Sequence, residues 1–112
     1  MSDTCLFCRI VRREIPAAVV AETETALAFR DVNPQAPLHA LVIPKRHVAS
    51  LAADDAALVG ELSLLAARVA REAGYGDTGF RAVVNNGPDA GQTVHHLHLH
   101  VLAGRALHWP PG

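Results

Sequence analysis

Val94-His95-His96-Leu97-His98-Leu99-His100-Val101-Leu102-Ala103 decides how this chain reads. His96, His98 and His100 fall at every second position, with Leu97, Leu99 and Val101 between them. Successive side chains on a β-strand point to opposite faces. The spacing predicts a strand over 94–103 that carries three imidazoles on one face and an aliphatic ladder on the other. The ladder is what a core needs. Hydrophobicity gives no reason to align the imidazoles, so their face asks for a chemical role. One such role is metal binding. Residues i and i+2 of a strand lie about 6.6 Å apart and can share one ion, whereas i and i+4 lie about 13 Å apart, too far for Zn–N bonds near 2 Å without bending the strand. The other is nucleophilic catalysis, because a neutral imidazole is a good nucleophile near neutral pH and a neighbouring histidine can shuttle protons. The bland alternative is a solvated polar face rich in histidine.

Outward from this stretch, the chain has 112 residues, enough for one domain spanning 1–112 with one modest core. Aromatic residues are only 4 %, so Ala, Val and Leu must build that core. A formal net charge of −1 offers nothing to steer a polyanion, which argues against an extended nucleic-acid interface and leaves room for a single nucleotide. The first residues lack the apolar core of a secretory signal, and no apolar run approaches the roughly 18 residues of a membrane helix. The expectation is a soluble, cytoplasmic protein with no membrane partner. Cys5 and Cys8 stand three apart. In a reducing compartment a structural disulfide is disfavoured, and half of a zinc site is the better expectation.

Between the ends, Cys5–Glu14 has the composition of a short helix that stops before Pro16. Ala18–Ala21 and Ala26–Asp31 read as strands joined by a turn, Asn33–Pro37 as a rigid loop, and Leu38–Pro44 as a third strand. Leu58, Leu62, Leu65 and Val69 form an amphipathic stripe, which predicts one long helix over Asp54–Ala73 with Asp54 as N-cap and Gly74 just past its end. Phe80–Asn85 reads as a fourth strand and the histidine stretch as the fifth. Strands in succession with one inserted helix predict an α+β fold on an antiparallel sheet. In the Asn86–Thr93 loop, Gly91 permits close backbone approach, and consecutive amides with the Thr93 hydroxyl suit phosphate oxygens; by itself such a loop reads first as a plain turn, and beside the three histidines the phosphate reading leads.

His96-Leu97-His98-Leu99-His100-Val101-Leu102 matches His-φ-His-φ-His-φ-φ, with φ hydrophobic. The chain thereby resembles the histidine triad (HIT) superfamily of nucleotide hydrolases and transferases. Asp31–His39, Val42–His47, Gly91–Val94 and His108–Gly112 extend the resemblance to the Hint branch, the histidine triad nucleotide-binding proteins. The resemblance implies a HIT-like fold: a five-stranded antiparallel sheet with one long and one short helix, paired in a homodimer with a continuous ten-stranded sheet. It implies a purine nucleoside phosphoramidate hydrolase, converting adenosine 5′-phosphoramidate to AMP and an amine, with no organic cofactor. His98 would attack the α-phosphorus to form a nucleotidyl-histidine; His96 and His100 would flank the phosphate, with His100, His39 or Thr93 as the acid for the leaving amine. Asp31 would hold the ribose hydroxyls, Phe29, Val32, Phe7 and Leu41 the base, and Asn85, Gly91, Gln92 and Thr93 the phosphate. Trp109 would reach a partner subunit's site and help select substrate. Cys5, Cys8, His47 and His96 resemble the structural zinc set of some members. The alternatives are a nucleotide-binding, regulatory protein with incidental hydrolysis and a dinucleoside polyphosphate hydrolase.

Overall fold

A computed structural model of the chain describes residues 4–51 and 55–112. Helix α1 (Leu6–Val11) leads into strands β1 (Val19–Glu22), β2 (Ala26–Arg30) and β3 (Leu38–Pro44). Helix α2 (Ala56–Glu72) and strands β4 (Phe80–Val83) and β5 (Leu99–Ala103) follow. The five strands form one antiparallel sheet in the order β1-β2-β3-β5-β4. This is the α+β architecture expected.

The central strand β3 is buried along its whole length because both faces of the sheet are covered. Leu38, Ala40 and Val42 face α2, joined by Leu58, Leu62, Leu65 and Val69 of its stripe and by Leu97, Leu99 and Val101. On the other face Leu41 and Ile43 meet Leu27, Phe29 and the α1 residues Phe7 and Ile10. Each fully buried leucine of this kind contributes roughly 2–5 kcal/mol against truncation to alanine. Helix α1 has six residues, too short to persist alone, and its order comes from this packing and from Cys5, whose Sγ accepts the Cys8 N–H at its start.

The ends of several elements differ from expectation. Asp54 lies outside the described residues; Asp55 caps α2 by accepting the Leu58 N–H, while Gly74 follows the helix with a left-handed φ of 95°. Helix α1 is shorter than Cys5–Glu14, β2 stops before Asp31, and β4 stops before Asn85. The largest correction is β5, which begins at Leu99 rather than Val94. The ladder with β3 ends where Val42 pairs with Leu99. Beyond it the Pro44 carbonyl accepts from the His96 ring, and the Leu97 N–H bonds the Val48 carbonyl at 2.6 Å, so tertiary bonds replace strand pairing. Alternation nevertheless persists through the unladdered residues, with Leu97 in the α2-side core.

Candidate active site

Cross-strand register and the bent segment before β5 assemble a row of rings on the α1 side of the sheet. Centroid separations run from His47 to His96 (5.1 Å), from His98 to His100 (5.1 Å) and from His100 to His39 (5.2 Å). The Phe7 ring stands edge-on to both His96 (5.9 Å) and His98 (5.3 Å), spanning the middle of the row. His39 pairs across β3 and β5 with Leu102, two positions from His100, which sets both imidazoles on one face.

At the centre, the His98 Nδ1–H donates to the His96 carbonyl at 2.8 Å. A carbonyl only accepts, so the proton sits on Nδ1 and the Nε2 lone pair is the nucleophilic one. That Nε2 has no hydrogen-bond partner among the described residues.

On one side of His98, three bonds fix a directional chain. The Gln35 N–H donates to His39 Nδ1 at 3.0 Å, so His39 carries its proton on Nε2. His39 Nε2–H then donates to His100 Nδ1 at 2.9 Å, with Asp31 Oδ2 3.4 Å from the same nitrogen. His100 is thereby left with its proton on Nε2, directed away from the chain of bonds. Burial holds His39 below the usual histidine range against the pull of Asp31. Burial, then the neighbouring His98 and His39, pushes His100 down to about 4. Both rings are neutral at neutral pH and serve as N–H donors of defined direction. Asp31 Oδ1 accepts the Asn33 N–H at 2.8 Å, so the carboxylate also makes the local turn and offers Oδ2 toward the site.

On the other side, Cys5, Cys8, His47 and His96 bring one donor atom each to within 4.8 Å of one another. His96 Nδ1 lies 3.3 Å from Cys5 Sγ and 3.5 Å from Cys8 Sγ, and His47 Nδ1 lies 3.3 Å from Cys8 Sγ. With Zn–S near 2.3 Å and Zn–N near 2.05 Å, the S···N edge of a zinc tetrahedron is about 3.5 Å. The His96 Nε2–H donates to the Pro44 carbonyl at 2.8 Å, which turns the Nδ1 lone pair toward both sulfurs. Burial lowers the His96 pKa, which favours the neutral, ligating form. The donor set fits zinc.

Asp31 and His39 likewise approach His100 as a trio within 4.8 Å. There, however, the Gln35 N–H occupies His39 Nδ1 and the His39 proton lies between the two rings. A metal would have to displace that proton, so this trio is a hydrogen-bonded relay.

A cavity of about 720 Å³ opens beside the row, lined by Phe7, Phe29, Leu41, Asp31 and Val32, the residues expected to hold base and ribose. Leu6 and Ile10 of α1 and Ile15 complete its apolar wall. Their contribution was not read from the sequence, although Leu6 and Ile10 have helical i, i+4 spacing. Val32 is fully exposed at the rim. Thr93 lines a second opening of about 350 Å³ with Cys5, His47 and His95. Gly91 adopts a left-handed φ of 81° in the preceding loop, and Asn85 lies just beyond β4. Gln92 turns inward: its Oε1 accepts the Gly87 N–H, and its Nε2 donates to the Ala49 and Val94 carbonyls. The structure uses this amide to hold the loop. Trp109 is 82 % exposed, while Arg81 of β4 ties the tail by donating to the His108 carbonyl. Gln35 and Pro44 orient the rings through backbone atoms, which carry no residue-type signal.

Comparison with known proteins agrees with this geometry. The HIT domain family matches residues 12–107. A HIT-like protein of Synechocystis sp. is 55 % identical, covering 100 % of both chains. The crystal structure of a HIT family hydrolase from Legionella pneumophila superposes with a TM-score of 0.94 at 46 % identity, covering 97 % of this chain and 100 % of that one. A histidine triad nucleotide-binding protein from Candida albicans gives a TM-score of 0.84 at 28 % identity, covering 96 % and 83 % of the two chains.

Proposed function

The chain belongs to the HIT domain family, and from that premise we propose that it is a nucleotide hydrolase acting on P–N bonds, a purine nucleoside phosphoramidase. The observation that carries this reading is the His98 Nδ1–H bond to the His96 carbonyl, which leaves Nε2 unprotonated. In the first step Nε2 forms a bond to the α-phosphorus of adenosine 5′-phosphoramidate while the P–N bond breaks and the amine leaves with a proton. In the second step water replaces the imidazole at phosphorus, giving AMP and restoring His98. An amine leaves poorly unless protonated. In this reading His100 Nε2–H serves the phosphate or the leaving nitrogen as donor, a role supported by the bond from His39 that fixes its direction. The purine occupies the apolar cavity walled by Phe7, Phe29, Leu41 and Val32, with Asp31 Oδ2 at the ribose. Asn85, Gly91 and Thr93 take the phosphate oxygens, and Gln92 keeps their loop in place.

In the same reading Cys5, Cys8, His47 and His96 hold a structural zinc, which would tie α1 to the histidine segment. The exposed Trp109 serves a homodimer, whose continuous ten-stranded sheet would join through an open sheet edge, and reaches the partner's site. Among the described residues no helix is long and apolar enough to cross a membrane, and the thiol chemistry suits the cytoplasm.

AMP release from adenosine 5′-phosphoramidate by the wild type and by His98→Ala tests the proposal. Turnover by wild type alone supports it. Turnover by both keeps the reaction and removes His98 from its role. An inactive, folded wild type makes the chain a nucleotide-binding module instead. Chelation tests the zinc: with a few kcal/mol held in the site, the melting temperature should fall by about 10 °C or more. An unchanged melting temperature in protein that contains no zinc would refute it.

A further inference from the structure

Cys5 and Cys8 sit where their chemical state reaches the nucleophile and the cavity together. Cys5 caps α1 and Cys8 lies within it. The same helix carries Leu6, Phe7 and Ile10 into the wall of the large cavity. Its Phe7 ring packs edge-on against His98 and His96. His96, whose ring faces both sulfurs, supplies the carbonyl that fixes the His98 tautomer. A six-residue helix has no stability of its own, so its position depends on its packing and on the cluster at its start, and a change at Cys5 and Cys8 is felt along it. The cluster is also accessible: Cys5 is partly exposed and lines the 350 Å³ opening, with Cys8 buried behind it. The donor sulfurs of the pair lie within 4.8 Å of each other.

We propose that Cys5 and Cys8 form a redox-modification site, at which a hydroperoxide converts the pair to a disulfide, releases the metal and disables His98. The Cys5 thiolate attacks the peroxide oxygen, the O–O bond breaks, and a sulfenic acid and one hydroxide or alkoxide form. The Cys8 thiolate then attacks the Cys5 sulfur, forming the S–S bond and expelling hydroxide. The thiolates lose two electrons and the peroxide gains them. Zinc held by this set would lose both sulfur ligands, because thiolate is the ligand and a disulfide is not. An S–S bond of about 2.05 Å pulls both sulfurs off the positions they hold against His96 and His47. Metal release and loss of turnover rest on the zinc and nucleophile assignments above; disulfide formation does not.

The test treats the reduced, full-length, metal-loaded protein with hydrogen peroxide. Thiols are then alkylated, the peptide around Cys5 and Cys8 is weighed, released zinc is titrated and AMP formation is followed. The expected result is loss of both alkylatable thiols to an internal disulfide, release of the zinc, and a fall in kcat of at least about tenfold, all reversed by dithiothreitol and added zinc. Alkylatable thiols after peroxide has stopped turnover would overturn the proposal. So would oxygen adducts that dithiothreitol does not remove, or a disulfide that leaves kcat unchanged. A disulfide that stops turnover reversibly in protein purified without zinc would sink the zinc assignment and keep the redox site. If the reduced protein has no turnover, amide hydrogen exchange over 6–11 replaces the activity readout. Faster exchange on oxidation supports the proposal, and unchanged exchange overturns it.

Discussion

Two clusters of ligand-type side chains flank His98, and they differ in the direction of their hydrogen bonds. Around His96 the ring proton goes outward to the Pro44 carbonyl, so a lone pair faces two sulfurs. Around His39 a backbone N–H points inward from Gln35, so the ring proton is passed on to His100. The first arrangement gathers lone pairs and suits a soft divalent ion. The second uses its lone pairs internally and delivers an N–H at its far end. The same residue type takes opposite roles because backbone partners decide where its proton sits. His98 lies between them and takes its own tautomer from the His96 carbonyl, so in the proposed reading the sulfur-bearing cluster would steady the nucleophile while the relay would address the substrate.

That division can be broken by removing one part at a time. The largest effect is expected at the centre: His98→Ala should lower kcat for AMP release on the order of 10⁴-fold or more, with zinc content unchanged. Metal analysis beside the kinetics checks both halves. On the relay side, His39→Ala frees His100 Nδ1 and lets the proton choose either nitrogen. We expect kcat to fall about a hundredfold with little change in KM, the zinc again staying. A loss of zinc in that variant would erase the distinction between the clusters.

A smaller effect sharpens the same comparison through pH. His100 accepts a proton near pH 4 when folded and near 6.5 when unfolded. The unfolded chain binds that proton first, so this contribution to stability is complete above about pH 6.5 and is lost as pH falls toward 4. Allowing for partial solvent screening, it amounts to on the order of 1 kcal/mol. Urea unfolding of metal-loaded wild type and His100→Gln at pH 7 and pH 5 should show the wild type losing more. Equal losses would mean that burial does not keep His100 neutral.

The sequence made one side of this arrangement easier to read than the other. The placement of His96, His98 and His100 on one side carries into the structure although the chain bends over 94–96, because Leu97 goes to the α2-side core while His96 and His98 meet Phe7, and the Leu58–Val69 stripe is buried as its spacing predicts. The start of β5 was not legible, because it depends on the His96 ring and the Leu97 N–H finding Pro44 and Val48, far away in sequence. In the assembly of Cys5 and Cys8 with His47 and His96, the paired spacing announces half a site, the two histidines entered through resemblance, and the fold brings all four donors together. His39 entered through resemblance alone, since no spacing links it to His100 across 61 residues. The proton direction in both clusters comes from the Gln35 N–H and the Pro44 carbonyl, main-chain groups that almost any side chain leaves unchanged, proline alone lacking the N–H.

Cobalt titration of the metal-free protein separates the two clusters, because cobalt reports its ligands by its spectrum. Saturation at one ion per chain is expected, with intense tetrahedral d–d bands and a thiolate-to-cobalt charge-transfer band. All three should persist in His39→Ala and vanish in Cys8→Ala. Contradiction would be a spectrum lacking the thiolate band, or one that disappears with His39, because the ion would then occupy the relay and the two clusters would not differ as their hydrogen bonds require.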